Sequence, residues 1–388
     1  MNPLSLANTL IPLSAAITAL VIVSLNILYD RNKTTPTIWI LWLYFASATI
    51  NWGSIILYFI FPDVFVVMNS FVLFTFIMAQ ILFYAFLFHL TRLDSEERFP
   101  RAHLVLPIAI SLLLTGLMLI TPLESQRLSV TGRGEFAGGS YLFFVVSNAK
   151  MPIRLAFSVV YTGLSFLRLY SYQKRVTDYS ANYYKSSLGW VQVCLFLSLS
   201  LIPIPLMGIL LPRETAVGSW LLTAQNIIVV FQYSFLCFHI TKHNYIQLDE
   251  LTPTEENLVH IPHTSNSNDS PAVMLGGNEA QPVRRKLLSK CDFEEYMQSK
   301  RPYLNPDLRL LDIAADLNTN RTYISTFINS VYGVNFSRLV NRFRLQELNQ
   351  LRQSDATRHK SDKELAEMVG FGSYRNYRRF IAQESEEA

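Results

Sequence analysis

The chain has 388 residues, half of them apolar and only 16% charged, with a formal net charge of +4 and three cysteines. So low a charged fraction argues against an ordinary soluble protein, and so mild a balance does not by itself point to nucleic acid. Cys194, Cys237 and Cys291 form no CxxC pair, which argues against a disulfide framework and a cysteine-based zinc site.

The apolar residues concentrate in the first 240 positions. Seven segments there are long and apolar enough to span a bilayer: residues 5–28, 37–60, 64–90, 104–120, 149–170, 188–211 and 219–240. No Lys or Arg precedes Arg31, so the first segment lacks the basic start of a signal peptide. Loops on one side carry Arg31 and Lys33, then Arg92, Arg98 and Arg101, then Lys174, Arg175 and Lys185. The other side carries Arg127, Arg133 and Arg213, with Lys150 at the boundary. This bias predicts a multi-pass membrane protein, its N-terminus outside and its C-terminal part in the cytoplasm.

The longest outer loop, residues 121–148, holds TGRGEFAGGS and then YLFFVV, which reads as a hairpin or mobile turn followed by a membrane-dipping piece. Lys150 and Arg154 lie four apart and share a face at the outer end of the fifth span. They are candidates to receive an anionic small-molecule or envelope signal, or to pair with Glu135; snorkelling to lipid headgroups is the competing reading. The intramembrane amides Asn26, Asn51, Asn69, Gln80, Gln192, Gln225, Asn226 and Gln232 are expected to hydrogen-bond helix to helix. Pro203 and Pro205 should break or kink the sixth span. His239 and His243 are spaced i, i+4 without a third ligand, so no metal or cofactor is expected. The chain has no nucleophile elbow, Walker loop, HExxH or kinase motif, and its spans hold no paired carboxylates. Enzymatic activity is therefore not expected.

Residues 1–248 thus read as a membrane sensor or anchor. Residues 249–290 follow as a linker rich in Asn, Ser, Pro, Thr and Gly, in which SNSNDSPA and LGGNEAQP cannot build a core. A flexible tether of this length spans roughly 35 Å on average. Arg284, Arg285 and Lys286 close it, as contacts for anionic lipid, DNA phosphate or water.

Residues 291–388 hold one pattern twice. In LLDIAADLNTNRTYISTFINSVYG and DKELAEMVGFGSYRNYRRFI, Ala314 aligns with Ala366, Leu317 with Val369 and Asn318 with Gly370. After one extra residue in the second turn, Asn320 matches Ser373, Ile324 matches Tyr377 and Thr326 matches Arg379. Each copy reads as an amphipathic helix, a sharp turn and a second helix opened by a capping residue. The piece between them, NFSRLVNRFRLQELNQL, reads as a connecting helix. In the first copy Ile324 and Phe327 or Ile328 should pack inward, while Thr322, Ser325 and Thr326 face outward with Arg321 beside them. In the second, Tyr377 and Ile381 should pack, and Tyr374, Arg375, Asn376, Arg378 and Arg379 face outward.

Two such units on a linking helix resemble the DNA-binding domain of the AraC family of bacterial transcription regulators, over residues 293–381. The resemblance rests on Ile313-Ala314, Gly333-Val334-Asn335-Phe336, Asn341 with Arg344, and Ala366-x3-Gly370-Phe371-x-Ser373. It implies a double helix-turn-helix whose second helices enter the major groove of double-stranded DNA, with base-reaching positions at Thr322, Ser325 and Thr326. Arg375 and Arg379 would read guanine, Asn376 adenine, and Thr a thymine methyl, with Arg378 on phosphate. A homodimer on DNA and a contact with RNA polymerase are further partners such a regulator implies. There is one departure. The family continues past the second unit with a basic stretch and an Arg-bearing helix, whereas here AQESEEA follows. Glu384, Glu386 and Glu387 oppose both the helix dipole and phosphate, which puts the stability of the second unit in doubt.

The reading is therefore an all-α chain, a seven-helix transmembrane bundle followed by an AraC-like double helix-turn-helix domain. Its expected role is a membrane-embedded one-component transcription regulator. The competing reading is a seven-helix transporter or receptor whose cytoplasmic helical tail binds a protein partner.

Overall fold

A computed structural model describes residues 3–29, 36–93, 97–131, 136, 140–243, 245, 288–357 and 359–387. The linker reading of residues 249–290 falls almost wholly outside these, as do Arg31, Lys33, Arg133, Glu135 and Arg284 to Lys286. The described residues are helical, with no β-strand. They form two compact units: Met1–Lys174 with Ser187–Gln247, and Arg175–Ser186 with Leu248–Ala388.

In the first unit, seven helical stretches are long and apolar enough to cross a membrane, close to the seven expected positions. The helices in chain order are α1 (Pro3–Tyr29), α2 (Pro36–Ile60), the short α3 (Pro62–Val67), α4 (Asn69–Leu90), α5 (Ala102–Ile120), the short α6 (Leu123–Thr131), α7 (Tyr141–Asn148) and α8 (Lys150–Arg175), of which α3 and α6 lie outside the seven stretches. After α9 (Tyr183–Ser186), which belongs to the second unit, come α10 (Gly189–Ser198), α11 (Pro203–Leu210), α12 (Arg213–Val217) and α13 (Trp220–Thr241). Helix α2 packs between α1 and α4, α13 lies on α1 and α10, and α5 lies on α4. Large apolar side chains such as Leu6, Val21, Leu112 and Phe231 point outward, the surface a lipid solvent requires.

Three expectations are sharpened. The third span is preceded by a separate short helix, with Met68 as the joint between α3 and α4. The sixth breaks as expected: a 3-10 turn at Leu199–Leu201 follows α10, and α11 starts at Pro203. Proline has no N–H to give the preceding turn but fits the first turn of a new helix. YLFFVV forms α7, opened by the Ser140 hydroxyl, which accepts from the Phe143 amide, and it runs across Ala149 into α8.

Polar residues in the spans bond helix to helix. The Asn226 amide donates to the Asn8 carbonyl (2.9 Å), and Asn8 donates to the carbonyls of Val217 (2.9 Å) and Ser219 (3.0 Å). Gln225 donates to the Ser200 carbonyl and Gln232 to the Ser198 hydroxyl, so both tie α13 to the broken sixth span. Asn51 reaches Thr75, and Asn26 reaches Thr241. Each such bond contributes about 0.6–2 kcal/mol in a membrane, enough to fix which faces meet.

The second unit holds α14 (Lys290–Lys300), α15 (Leu310–Asp316), α16 (Arg321–Tyr332), α17 (Phe336–Gln353), α18 (Asp362–Met368) and α19 (Tyr374–Glu387). Two apolar cores lie along α17, which gives Leu339 and Val340 to one and Leu348 to the other. The first core gathers Phe293, Met297, Ile313, Ala314, Ile324, Phe327 and Ile328; the second gathers Leu365, Ala366, Val369, Phe371, Tyr377 and Phe380.

Candidate nucleic-acid interface and an intramembrane cavity

The internal repeat read from sequence is a repeat of geometry. In the first copy the Thr319 amide donates to the Ala314 carbonyl, and in the second the Phe371 amide donates to the Ala366 carbonyl. The aligned Asn318 and Gly370 both take left-handed backbone, with φ of 48° and 90°. Gly370 is also forced by space: a Cβ there would lie 2.6 Å from the carbonyl oxygens of Tyr303 and Leu304. The second helices open on the expected caps. Asn320 accepts from the Tyr323 amide (2.8 Å), and Ser373 accepts from the Asn376 amide (3.2 Å). Helix α18 starts on a capping box between Ser361 and Glu364, and α17 starts on Asn335. Neither α16 nor α19 has an acidic residue in its first turn, which leaves both N-termini electropositive.

Thr322 and Thr326 are exposed and Ser325 is half-buried. Arg321 is half-buried, its guanidinium 4.9 Å above the Tyr179 ring. On α19, Arg375, Arg378 and Arg379 are all exposed, within one face. Two residues expected to face fully outward do not. Tyr374 packs partly on the second core, tilted against Tyr377, and the Asn376 side chain donates to the Phe371 carbonyl (3.2 Å). Both sit in the first turn of α19, where they close the end of the core. Ile324, Phe327, Ile328 and Tyr377 are buried and Ile381 is half-buried, as spaced; buried Phe380 is an addition.

Arg344 ties the linking helix to the segment that precedes the first copy. It is 1% exposed, at the centre of the i, i+4 stripe Val340–Arg344–Leu348. Its guanidinium donates to the carbonyls of Tyr303 (2.7 Å) and Asn305 (2.7 Å) and to Asn341 Oδ1 (3.0 Å). Burial pushes its pKa down to about 9 while Asp307 pulls it up, so it stays charged at neutral pH. An arginine at an apolar stripe position was the sequence signal for this role.

The acidic end has a partner. Glu384 accepts from Arg338 (2.6 Å) and Arg342 (3.4 Å), which ties α19 to α17. Burial disfavours its charge, but the two guanidiniums outweigh that and hold the carboxyl below its usual range. For this residue the expected conflict with the helix is offset by an ion pair across helices.

In the first unit, a cavity of about 190 Å³ lies among α2, α4, α8, α11 and α13. Tyr44, Asn51, Trp52, Gln80 and Tyr233 line it together with Arg154, and none of the lining residues is acidic. The Arg154 guanidinium also lies 4.7 Å from the Phe76 ring centre. Lys150 is not part of the lining; its ammonium donates to Asn69 Oδ1 (2.9 Å). The structure therefore separates two residues that the sequence paired. It also adds an ion pair that loop charges did not reveal, in which Arg168 makes a two-pronged contact with Glu97, donates to Thr91 and lies over Phe88. His239 stacks flat on Trp190.

The seven helices define the class, a helical multi-pass membrane protein with a second helical unit built on an internal repeat. Comparison of the chain with protein-family models, with curated proteins and with solved structures finds no match in any of the three.

Proposed function

We propose that this chain is a membrane-embedded one-component transcription regulator that binds double-stranded DNA through the two repeat copies. The observation that carries the reading is the repeat itself. Each copy presents a side-chain-capped second helix with an electropositive N-terminus and exposed polar or cationic residues, and each packs its core on one linking helix. This is the arrangement that places a helix in a major groove, and the resemblance to the AraC family rests on the same residues. The resemblance implies the bacterial cytoplasmic membrane, and the loop charges favour an orientation with the second unit inside the cell.

Within this reading the first-unit cavity is the signal site. It joins one cation, amides and aromatic rings in an apolar wall, which suits a small carboxylate with an aromatic or aliphatic body. A dry cavity of about 150 Å³ holds benzene, so a ligand near the size of benzoate fits. Arg154 is its charge partner.

The test is selection of genomic fragments by the full-length protein in lipid nanodiscs, followed by sequencing. A shared motif enriched by the intact chain and lost in Arg375→Ala/Arg379→Ala supports the proposal. No enriched sequence at low salt, with stable capture of a cytoplasmic protein instead, favours the receptor reading.

A further inference from the structure

Residues Arg175–Ser186 connect α8 to α10 in the chain, yet they belong to the second unit. Ser180 faces Arg309 in an antiparallel bridge: the Ala181 amide donates to the Leu308 carbonyl, and the Leu310 amide donates to the Tyr179 carbonyl, both at 3.0 Å. Ala181 is 4% exposed and forms part of the first repeat core. Asp307 accepts from Asn182 (2.8 Å) and from the Lys185 ammonium (2.9 Å), while Arg344 reaches the Ala181 carbonyl (3.4 Å). Tyr179 lies beneath Arg321 at the start of α16.

This is an interaction surface with its occupant in place. The occupant is a segment that the chain fixes between two membrane spans. Arg321 cannot keep its guanidinium on Tyr179 and swing to a phosphate or base edge at once. We propose that residues 175–186 form a docking strap that competes with DNA for the first repeat copy, so that movement of α8 or α10 controls DNA binding. The competition rests on the DNA-binding reading above; the docking does not.

Ser180 and Arg309 form the non-hydrogen-bonded type of antiparallel pair, with Cα atoms about 4.5 Å apart, within reach of a disulfide. The experiment uses the full chain in nanodiscs, with Cys291→Ser removing the exposed thiol. Ser180→Cys/Arg309→Cys should cross-link within one chain on mild oxidation. The locked form should bind the selected DNA on the order of 10-fold more weakly than its reduced form, the usual size of coupling between sites. A second set guards against misfolding. Lys185→Asp and Asp307→Lys should each tighten DNA binding, and the double exchange should restore the starting affinity. Failure to cross-link, with no effect of either charge reversal, overturns the strap. Equal DNA affinity in locked and reduced forms overturns the competition. Cross-linking without DNA binding in either form overturns the regulator reading and the competition with it, and leaves the docked strap supported.

Discussion

Arg344 is charged, buried and surrounded by carbonyl oxygens that belong to different parts of the second unit. Its replacement by Ala leaves those acceptors unsatisfied, at about 1–3 kcal/mol each, so a loss of about 3 kcal/mol or more is expected. Hydrogen exchange of the full-length protein should show it as faster exchange in α17 and in residues 303–310 of Arg344→Ala. Protection equal to wild type would remove Arg344 from its joining role. At the proposed interface, Arg375→Ala or Arg379→Ala should cost about 1–3 kcal/mol at the preferred site and relax one position. Arg378→Ala should weaken all sequences alike and flatten the salt dependence by about one unit. Binding titrations on specific and random duplexes separate these, and equal losses for all three remove the base-reading assignment. In the cavity, benzoate should raise the thermal midpoint of wild type and of Lys150→Gln but not of Arg154→Gln. Equal shifts in all three proteins would place the anion elsewhere.

At the scale of elements, the second unit is held by helix caps and by ion pairs between helices, among them Arg338–Glu384 and Arg352–Asp362. Ser361→Ala and Asn320→Ala should each cost about 1 kcal/mol, the usual value of a side-chain cap. Glu384 carries a pH dependence whose sign is fixed by its lowered pKa. Its folded value lies below that of the unfolded chain, so its contribution is full above the ordinary carboxylate range. The contribution is lost as pH falls through the lowered folded value. Exchange protection of α19 followed from neutral to acid pH should decline in wild type, and this part of the decline should be missing in Glu384→Gln. An identical acid profile in both would show that the Arg338–Glu384 contact does not hold α19 in solution.

For the whole molecule, the loop charges predict that reporter fusions at Asn2 and Gly134 lie outside the cell. Fusions at Arg98, Lys174 and Asp269 should lie inside. An outside position for Asp269 would defeat both the orientation and the DNA-binding role. Residues 264–281 have the composition of a soft tether, whose effective concentration falls only gradually with length. Doubling that segment should therefore leave the response to a signal nearly unchanged. Abolition of the response by a few inserted residues would show a rigid, phase-dependent connection instead.

The sequence by itself determined the seven spans, the break at Pro203, the two repeat copies with their caps, and the inward positions of Ile324 and Tyr377. Each follows from local chemistry: apolar run length, a missing amide hydrogen, a side-chain acceptor at a helix start, or 3.6-residue periodicity. What joins distant parts of the chain was decided only by tertiary structure. Arg154 and Lys150 look equivalent at a spacing of four, and only the packing of α2, α4, α8, α11 and α13 puts one in a cavity wall and the other on Asn69. Glu384 looks like a charge in the wrong place until α17 brings Arg338 to it. The segment from Arg175 to Ser186 reads as one more polar loop, because no local pattern records that Ala181 completes a core more than 100 residues away. Periodicity reports which face of an element is buried. The partner on the other side of that face is set by the path of the chain, which sequence spacing does not contain.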